Sequence, residues 1–396
     1  MELYLQFGHG MMGHCRELIS SWGGGTVVLS PRDMTEEQMI RLSEELKESD
    51  GEVLLDPQFY LPHSDHERLC THEYWPENYE TAGFWDGAGI AKMMNCLASL
   101  NSNVRAREFI LPGMLASEVD DLWLRSQQAV IDAAAKIKRP ALSTIALSEA
   151  VTSDSDQIEA LIEASENWDV KGAYLVCQHT DGKYLVGDAI WLTNMLDLIA
   201  GLRLQGKTVV VGYSNQQTLA AACVNATAIC SGTWMNVRSF PPDKFTGDEG
   251  DPRRRVTWYY CPQALSEYKL PAMDIAWNND VLDEMEAPPD LNGGYADALF
   301  SGSQPSGVDY MEQNSFRHYL HALHEQVERF DDSGFGVAME AHREMLDDAE
   351  SLLETLHSAG VRGQDRDFAD FVDVNRAALD SIESTTGPRL RRKWNS

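Results

Sequence analysis

Residues 208–215 read Thr-Val-Val-Val-Gly-Tyr-Ser-Asn, and this stretch contains the unit from which the fold is predicted. Three consecutive valines indicate a strand that is covered on both faces, as parallel strands are, because a half-exposed strand would alternate apolar and polar residues. The polar residues after Gly212 precede a helical pattern over residues 215–224. The stretch therefore predicts a parallel strand that leads directly into a helix.

The same strand-and-helix unit occurs eight times within the first 233 residues. The predicted strands are residues 3–7, 26–30, 52–56, 108–112, 142–147, 173–177, 208–212 and 226–230. The predicted helices between them are residues 11–22, 35–47, 86–100, 117–138, 154–167, 188–204 and 215–224. Eight strands at this spacing favour an α/β fold of the closed (β/α)8 TIM-barrel type. An open, doubly wound sheet is the alternative.

The chain divides into three predicted regions. Residues 1–238 form the barrel, with an aromatic and histidine-bearing insertion at 57–85 whose length is typical of a functional lid. Residues 239–305 are rich in Pro, Gly, Asp and Trp and form an irregular extension. Residues 306–396 form a helical C-terminal region, because residues 311–330, 336–359 and 365–384 carry apolar side chains at helical spacing.

The chain is strongly acidic, with 62 Asp and Glu against 32 Lys and Arg, which gives a net charge of −30. Only 10 of the basic residues are lysines. Such a surface stays hydrated in strong salt and is typical of a halophilic protein, although an acidic protein without that adaptation is the alternative. The charge argues against broad attraction to phosphate or anionic lipid but allows a local basic site. The local clusters are Arg253–Arg255 and a C-terminal group, which is better explained as a solvated tail.

Seven scattered cysteines without a CxxC pair are typical of a reducing cytoplasm. No stretch approaches the roughly 18 apolar residues that a membrane-spanning helix requires, and the N-terminus has no basic region. We therefore expect a cytoplasmic protein without a membrane partner. Two groups of residues contain side chains that can bind zinc. Neither group has a recognised spacing of zinc ligands, so we expect no metal and no cofactor. They are His9 and His14 with Cys15, and His63, His66 and His72.

Reacting residues of barrel enzymes gather at the carboxyl ends of the strands. Asp56 follows an apolar strand and precedes Pro57, so its carboxylate is placed to act as general base or nucleophile. His179 holds the same position after a later strand. The alternatives are a turn-initiating aspartate and a capping or surface histidine. The residues predicted to bind substrate are Arg32, Gln58, Gln178, Tyr213, Asn215 and Arg238.

Five segments, in this order, also suggest a family. Residues 26–31 read Thr-Val-Val-Leu-Ser-Pro, and residues 52–59 read Glu-Val-Leu-Leu-Asp-Pro-Gln-Phe. Residues 171–177 read Lys-Gly-Ala-Tyr-Leu-Val-Cys, and residues 208–217 are followed by Ala-Thr-Ala-Ile-Cys-Ser-Gly at 226–232. Over residues 20 to 270 the pattern resembles the tRNA-guanine transglycosylase superfamily, which includes enzymes that insert deazaguanine bases into DNA. The resemblance lies in pattern and order, with few identical residues.

The resemblance implies a (β/α)8 barrel that exchanges guanine for a modified base through a covalent nucleic-acid intermediate. Asp56 would take the place of the family's general-base aspartate. Two features of the family are absent from the sequence. The last strand carries Ala228-Ile229-Cys230 where the family's nucleophilic aspartate belongs. Cys230 is a conceivable substitute nucleophile, but a buried strand thiol is the better explanation. The family's zinc site needs three cysteines and a histidine after the barrel, and here only Cys261 follows it.

Three functional hypotheses remain open from the sequence. The first is a transglycosylase-like barrel acting on or binding a purine-type base in tRNA or DNA, with Asp56 as general acid/base and Arg238 and Arg253–Arg255 near phosphates. The second is a non-catalytic barrel that binds nucleic acid or a partner in a nucleic-acid modification or defence system. The third is an unrelated barrel hydrolase or lyase that uses Asp56, Glu149 and His179.

Overall fold

A computed structural model describes residues 1–64, 66–77, 79, 81–85, 87–247, 256–330 and 334–394. The strands are β1 (Glu2–Gln6), β2 (Gly25–Leu29), β3 (Gly51–Leu55), β4 (Phe109–Ile110), β5 (Leu115–Ala116), β6 (Ala141–Leu147), β7 (Gly172–Cys177), β8 (Thr208–Val211), β9 (Ala228–Ser231), β10 (Trp258–Cys261) and β11 (Ser266–Lys269). The barrel-region helices are α1 (Met12–Trp22), α2 (Glu36–Lys47), α3 (Thr81–Phe84), α4 (Ala88–Asn103), α5 (Asp121–Ala135), α6 (Glu149–Thr152), α7 (Ser155–Ser165) and α8 (Ala189–Leu204). The later helices are α9 (Leu270–Asn278), α10 (Pro289–Asn292), α11 (Glu312–Glu328), α12 (Phe335–Ser358), α13 (Val372–Thr385) and α14 (Gly387–Lys393).

The barrel strands form one parallel sheet in the order β3-β2-β1-β9-β8-β7-β6-β4, and β5 also pairs with β6. Its two ends meet, because the Arg107 amide donates to the Val53 carbonyl over 2.9 Å and the Leu115 amide donates to Tyr60 over 2.9 Å. The prediction of an α/β fold of the TIM-barrel type is therefore confirmed, and all eight predicted strands overlap observed ones.

The fourth barrel strand is interrupted. β4 pairs with the start of β6 and β5 with its end, and the chain between them has one more residue than the facing part of β6. Gly113 lies in this interruption, where a Cβ atom would come within 2.6 Å of the Thr144 carbonyl oxygen. Only glycine allows the two backbones to approach this closely, which explains why the strand splits here.

The segment between the barrel and the C-terminal helices contains structure that the sequence pattern did not indicate. β10 and β11 form an antiparallel hairpin, and α9 follows it immediately. The predicted cluster Arg253–Arg255 lies outside the described residues. No helix among the residues that the structure describes is long and apolar enough to cross a membrane.

The C-terminal helices pack directly on the barrel. α8 is apolar on nearly all sides because α13 covers the face turned away from the sheet, where Thr386 donates to Asp197 over 2.7 Å. The predicted third C-terminal helix begins later than expected, at Val372, because Gln364 adopts a left-handed backbone with φ of 58° and only short 3-10 turns precede α13. The barrel and these helices share one hydrophobic core.

We predict that His342→Leu stabilises the protein and flattens its response to acid. His342 on α12 is 2% exposed, and neither ring nitrogen has a hydrogen-bond partner among the described residues. Burial lowers the pKa of His342 to about 4. The folded state therefore resists a proton that the unfolded state takes up near pH 6.5, and stability falls as pH drops below that value.

Urea unfolding from neutral pH to below pH 6.5 measures both the gain in stability and its dependence on pH. Removing the unsatisfied nitrogens is expected to add about 1–2 kcal/mol at neutral pH. His9→Leu, the same substitution at an exposed position, provides the control. A His342→Leu slope equal to that of the wild type would contradict the prediction.

Candidate functional site

The carboxylate of Asp56 lies at the end of β3 inside the barrel and is fully buried. Its Oδ2 atom accepts hydrogen bonds from the hydroxyls of Tyr60 at 2.7 Å and Tyr213 at 3.0 Å. The hydroxyl of Tyr174 lies 3.4 Å from the same oxygen, and Oδ1 accepts from the Gln58 amide at 2.9 Å. Hydroxyls and an amide therefore hold this carboxylate.

Tyr174 reaches the site from the opposite wall of the barrel. It belongs to β7, and its hydroxyl also donates to the side-chain oxygen of Gln6 on β1, at 2.8 Å. The amide nitrogen of Gln6 is buried and has no partner among the described residues. Gly212 makes room for the tyrosine, because a Cβ atom there would lie 2.5 Å from the Tyr174 hydroxyl. The site is thus assembled across the barrel interior.

Gln58 links the ends of three strands. Its side-chain oxygen accepts from the Arg32 amide at 2.8 Å, and its side-chain nitrogen donates to Ser30 at 2.9 Å and Tyr213 at 3.1 Å. Gln58 and Tyr213 both have a left-handed backbone with φ of 53°. Residues other than glycine rarely adopt this conformation, and both side chains join the network around Asp56.

Burial raises the pKa of Asp56 to about 6, while the hydrogen bonds from Tyr60, Gln58, Tyr213 and Tyr174 lower it. Burial and the nearby Asp56 charge raise the pKa values of Tyr60, Tyr174 and Tyr213 well above 10.0. The tyrosines therefore remain protonated donors while the carboxyl is poised near neutral pH. This combination suits general acid/base chemistry.

A short stretch after the last barrel strand closes the mouth above Asp56; we call residues 240–245 the cover segment. Phe240 and Phe245 are buried, and each ring centroid lies 4.9 Å from that of Tyr60. Phe240 also packs on Tyr213 at 5.3 Å. These rings cover the tyrosines that bind the carboxylate and help to keep water from it.

His179, Gln178 and Asn215 lie at strand ends as predicted, but their side chains face local backbone. His179 Nδ1 lies 3.1 and 3.0 Å from the Lys183 and Tyr184 carbonyls, and burial lowers its pKa to about 4. Asn215 donates to the Tyr184 carbonyl and caps the Gln217 amide. The Gln178 side chain accepts from the Glu149 amide.

His179 and Asn215 share one small cavity with Tyr213. Its volume is about 10 Å³, enough for about one water molecule, and Asp56 does not line it. The site therefore contains Asp56, Gln58, Tyr213 and Arg32 of the predicted set, while His179, Gln178 and Asn215 shape the neighbouring strand ends.

Arg238 is buried in a separate network. It pairs with Glu267 on β11 at 3.0 Å, donates to the Gly232 carbonyl at 2.8 Å and lies 3.4 Å from the ring centroid of Tyr319. Arg366 pairs with the same glutamate at 2.8 Å. In this conformation Arg238 ties the end of β9 to the hairpin and α11, so its predicted contact with substrate phosphate requires rearrangement.

Sequence reasoning missed Tyr174, the unpartnered amide of Gln6 and the cover segment. One signal was present: Tyr174 is an aromatic hydroxyl inside an otherwise apolar buried strand, and such a hydroxyl requires a partner. Nothing in the local pattern identifies Phe240 and Phe245 as the cover, because they follow the barrel in an aperiodic segment.

Cys230 on β9 is the residue that the sequence resemblance offers as a substitute nucleophile. The thiol is fully buried, and burial together with the Asp56 charge raises its pKa well above 9.0. A thiol that resists ionisation is a poor nucleophile. Among the described residues, no group of three His, Cys, Asp or Glu is arranged to hold a metal ion.

No protein-family model matches the sequence, and no curated protein matches it. Among solved structures, thiamine phosphate pyrophosphorylase from Pyrococcus furiosus aligns with 62% of this chain and 93% of its own, at 11% identity and a TM-score of 0.32. The carboxyl transferase domain of Rhizobium etli pyruvate carboxylase with pyruvate and biocytin aligns over 97% of this chain, at 11% identity and a TM-score of 0.35. This chain spans only 60% of that domain's length. Neither likeness indicates an activity for this chain.

We predict that Tyr60→Phe raises the pKa of Asp56 further above its present value of about 6, because the variant removes the shortest hydrogen bond to the carboxylate. A carboxyl whose pKa is raised on folding contributes stability at low pH that is lost as pH rises through the folded-state value. The variant should therefore lose more stability at pH 8 than at pH 5, by about 1.5–3 kcal/mol.

Infrared titration of the carboxyl, with Asp56→Asn as reference, and urea unfolding at both pH values measure this. Tyr74→Phe is the matched control, since the buried Tyr74 hydroxyl donates to the Pro57 carbonyl and not to Asp56. Equal losses in the two variants at both pH values would show that the Tyr60 hydroxyl does not act on Asp56.

Proposed function

We propose that this barrel binds a purine-type nucleobase of tRNA or DNA at the strand ends, with Asp56 as the general acid/base that exchanges a proton with it. The observation that carries the proposal is the buried Asp56 carboxylate, whose pKa is raised to about 6 by burial beneath a removable aromatic cover. The family resemblance of the sequence supports the same assignment, because in it Asp56 corresponds to the family's general-base aspartate.

The polar groups around Asp56 suit the edge of a purine. A guanine edge presents adjacent N–H donors beside a carbonyl acceptor, and a carboxylate can accept from the donors while an amide nitrogen donates to the carbonyl. The unpartnered amide nitrogen of Gln6 supplies such a donor within the same network. Displacement of the cover segment would leave the rings of Tyr60 and Tyr213 to stack on the base.

The proposal does not include a covalent intermediate. Base exchange in the family that the sequence resembles needs a nucleophilic aspartate in addition to the general base. In its place β9 carries the buried thiol of Cys230. Base binding and proton transfer at Asp56 need no such group.

A second candidate function is a non-catalytic barrel that binds nucleic acid or a partner in a modification or defence system. The observation in its favour is that the chain's own Phe240 and Phe245 fill the mouth and leave Asp56 inaccessible. The third hypothesis has less support, because Glu149 accepts from the Asp181 amide and His179 contacts backbone carbonyls, so neither joins Asp56.

Incubation of the protein with labelled guanine and either tRNA or DNA, at several salt concentrations, tests the proposal. Wild-type protein should bind the base, and any turnover should increase as pH rises through about 6, where Asp56 ionises. Asp56→Asn should reduce turnover about 100-fold or more, the range expected for loss of a general acid/base. Glu149→Gln, which removes a different strand-end carboxylate, should have no such effect.

The other outcomes discriminate between the hypotheses. Nucleic-acid binding that shows no dependence on pH near 6 and is unchanged in Asp56→Asn would favour the non-catalytic barrel. Failure to bind either the base or nucleic acid would reject both of these functions. Turnover that survives Asp56→Asn would show that the site is assigned wrongly.

A further inference from the structure

We propose that Arg32 forms an anion subsite beside Asp56 and binds a phosphate group of the ligand when the cover segment is displaced. The inference rests on the proposed function for the position of the base and adds a chemical class for the rest of the ligand, a nucleotide phosphate. Its basis is the environment of one guanidinium group at the end of β2.

The guanidinium of Arg32 is nine-tenths buried but only partly satisfied. Its side chain is 9% exposed, and its Nε atom is buried without a partner among the described residues. One terminal nitrogen donates to the Lys244 carbonyl at 3.2 Å, and the other lies 3.3 Å from Asp33. Arg32 and Asp33 therefore form a buried ion pair. Both contacts of the terminal nitrogens lie at the long end of the hydrogen-bond range.

The contact with Lys244 comes from the cover segment itself. The Arg32 guanidinium also lies 5.3 Å from the ring centroid of Phe245 in the same segment. Displacement of residues 240–245 would therefore free one terminal nitrogen and uncover the guanidinium in the same movement. A neutral carbonyl at this position is a weaker partner than an anion, because hydrogen bonds between charged groups are shorter and stronger.

The carboxylate of Asp33 is shared between Arg32 and a second donor. Asp33 accepts a 2.8 Å hydrogen bond from Ser30, and this bond holds its carboxylate close to Gln58. The planar guanidinium presents its donors as a fork that matches phosphate oxygens, which a lysine cannot reproduce. The donor edge that such a ligand would use is formed by the two terminal nitrogens, one released from Lys244 and the other shared with Asp33.

Arg32 belongs to the same network as Asp56. Its backbone amide donates to the Gln58 side chain, and the Gln58 backbone amide donates to Asp56 Oδ1. A ligand that places a base against Asp56 and a phosphate against Arg32 would therefore contact both ends of one connected set of residues. With a net charge of −30, the protein gives little non-specific attraction to phosphate, so a specific contact should be measurable.

Calorimetric titration of the full chain with guanosine and with guanosine 5′-monophosphate tests the subsite. The monophosphate should bind about tenfold or more tightly than the nucleoside, as expected for a charge-assisted pair. Arg32→Gln should abolish that difference, so that the variant binds guanosine and its monophosphate with similar affinity. Arg32→Lys, which keeps the charge but not the fork, should retain only part of it, and it covers the case in which Arg32→Gln does not fold.

Lys244→Gln is the matched control, since Lys244 contributes its backbone carbonyl and not its ammonium group to this contact. Loss of the phosphate preference in Lys244→Gln but not in the Arg32 variants would overturn the assignment, as would equal binding of guanosine and its monophosphate by the wild type. If neither ligand binds, the proposed function fails, and titration with inorganic pyrophosphate then decides the subsite. Pyrophosphate binding that is lost in Arg32→Gln would support it, and the absence of binding by the wild type would reject it.

Discussion

The central constraint on this protein is a carboxylate that is fully buried inside a barrel and held by tyrosine hydroxyls and a backbone amide. Removing an ionised carboxyl from water is costly unless donors replace its hydration. Tyr60, Tyr213 and Gln58 supply those donors from the ends of two strands, and Tyr174 supplies a longer contact from the opposite wall. Much of the architecture at this end of the barrel can be understood as the geometry that these four contacts demand.

Two backbone features place the groups that form these hydrogen bonds to Asp56. Gln58 and Tyr213 adopt left-handed conformations, which turn the chain sharply at the ends of β3 and β8 and aim both residues inward. Gly212 has no side chain where the Tyr174 hydroxyl must pass. The aromatic cover completes the arrangement, because it keeps water from the carboxylate and so maintains the burial that raises the pKa of Asp56. The aromatic rings that cover the carboxylate also maintain the burial that raises its pKa. Access to the site and protonation of Asp56 are therefore coupled.

The sequence predicted the barrel well because each parallel strand leaves a local signature, a buried apolar run followed by a helix. The split of the fourth strand escaped it, since the split depends on how closely Gly113 approaches a neighbouring strand. For the site, the strand-end rule identified Asp56, Gln58, Tyr213 and Arg32, whose positions are fixed by the chain close to each strand. It gave no direction for the side chains of His179 and Asn215, which bind nearby carbonyls, nor the pairing of Arg238 with Glu267, which depends on a later hairpin.

The same physics bears on the absent second carboxylate. Inside the barrel, the charge on Asp56 helps to raise the pKa of the Cys230 thiol. An aspartate in place of Cys230 would put two carboxyls in one water-excluded space, where they resist ionising together. With a cysteine there, the described interior around Asp56 carries one ionisable acid that titrates near neutrality. Such a site can accept and return a proton, but it lacks a second ionised group to attack a sugar carbon. The geometry around Asp56 is therefore better suited to moving a proton than to covalent catalysis.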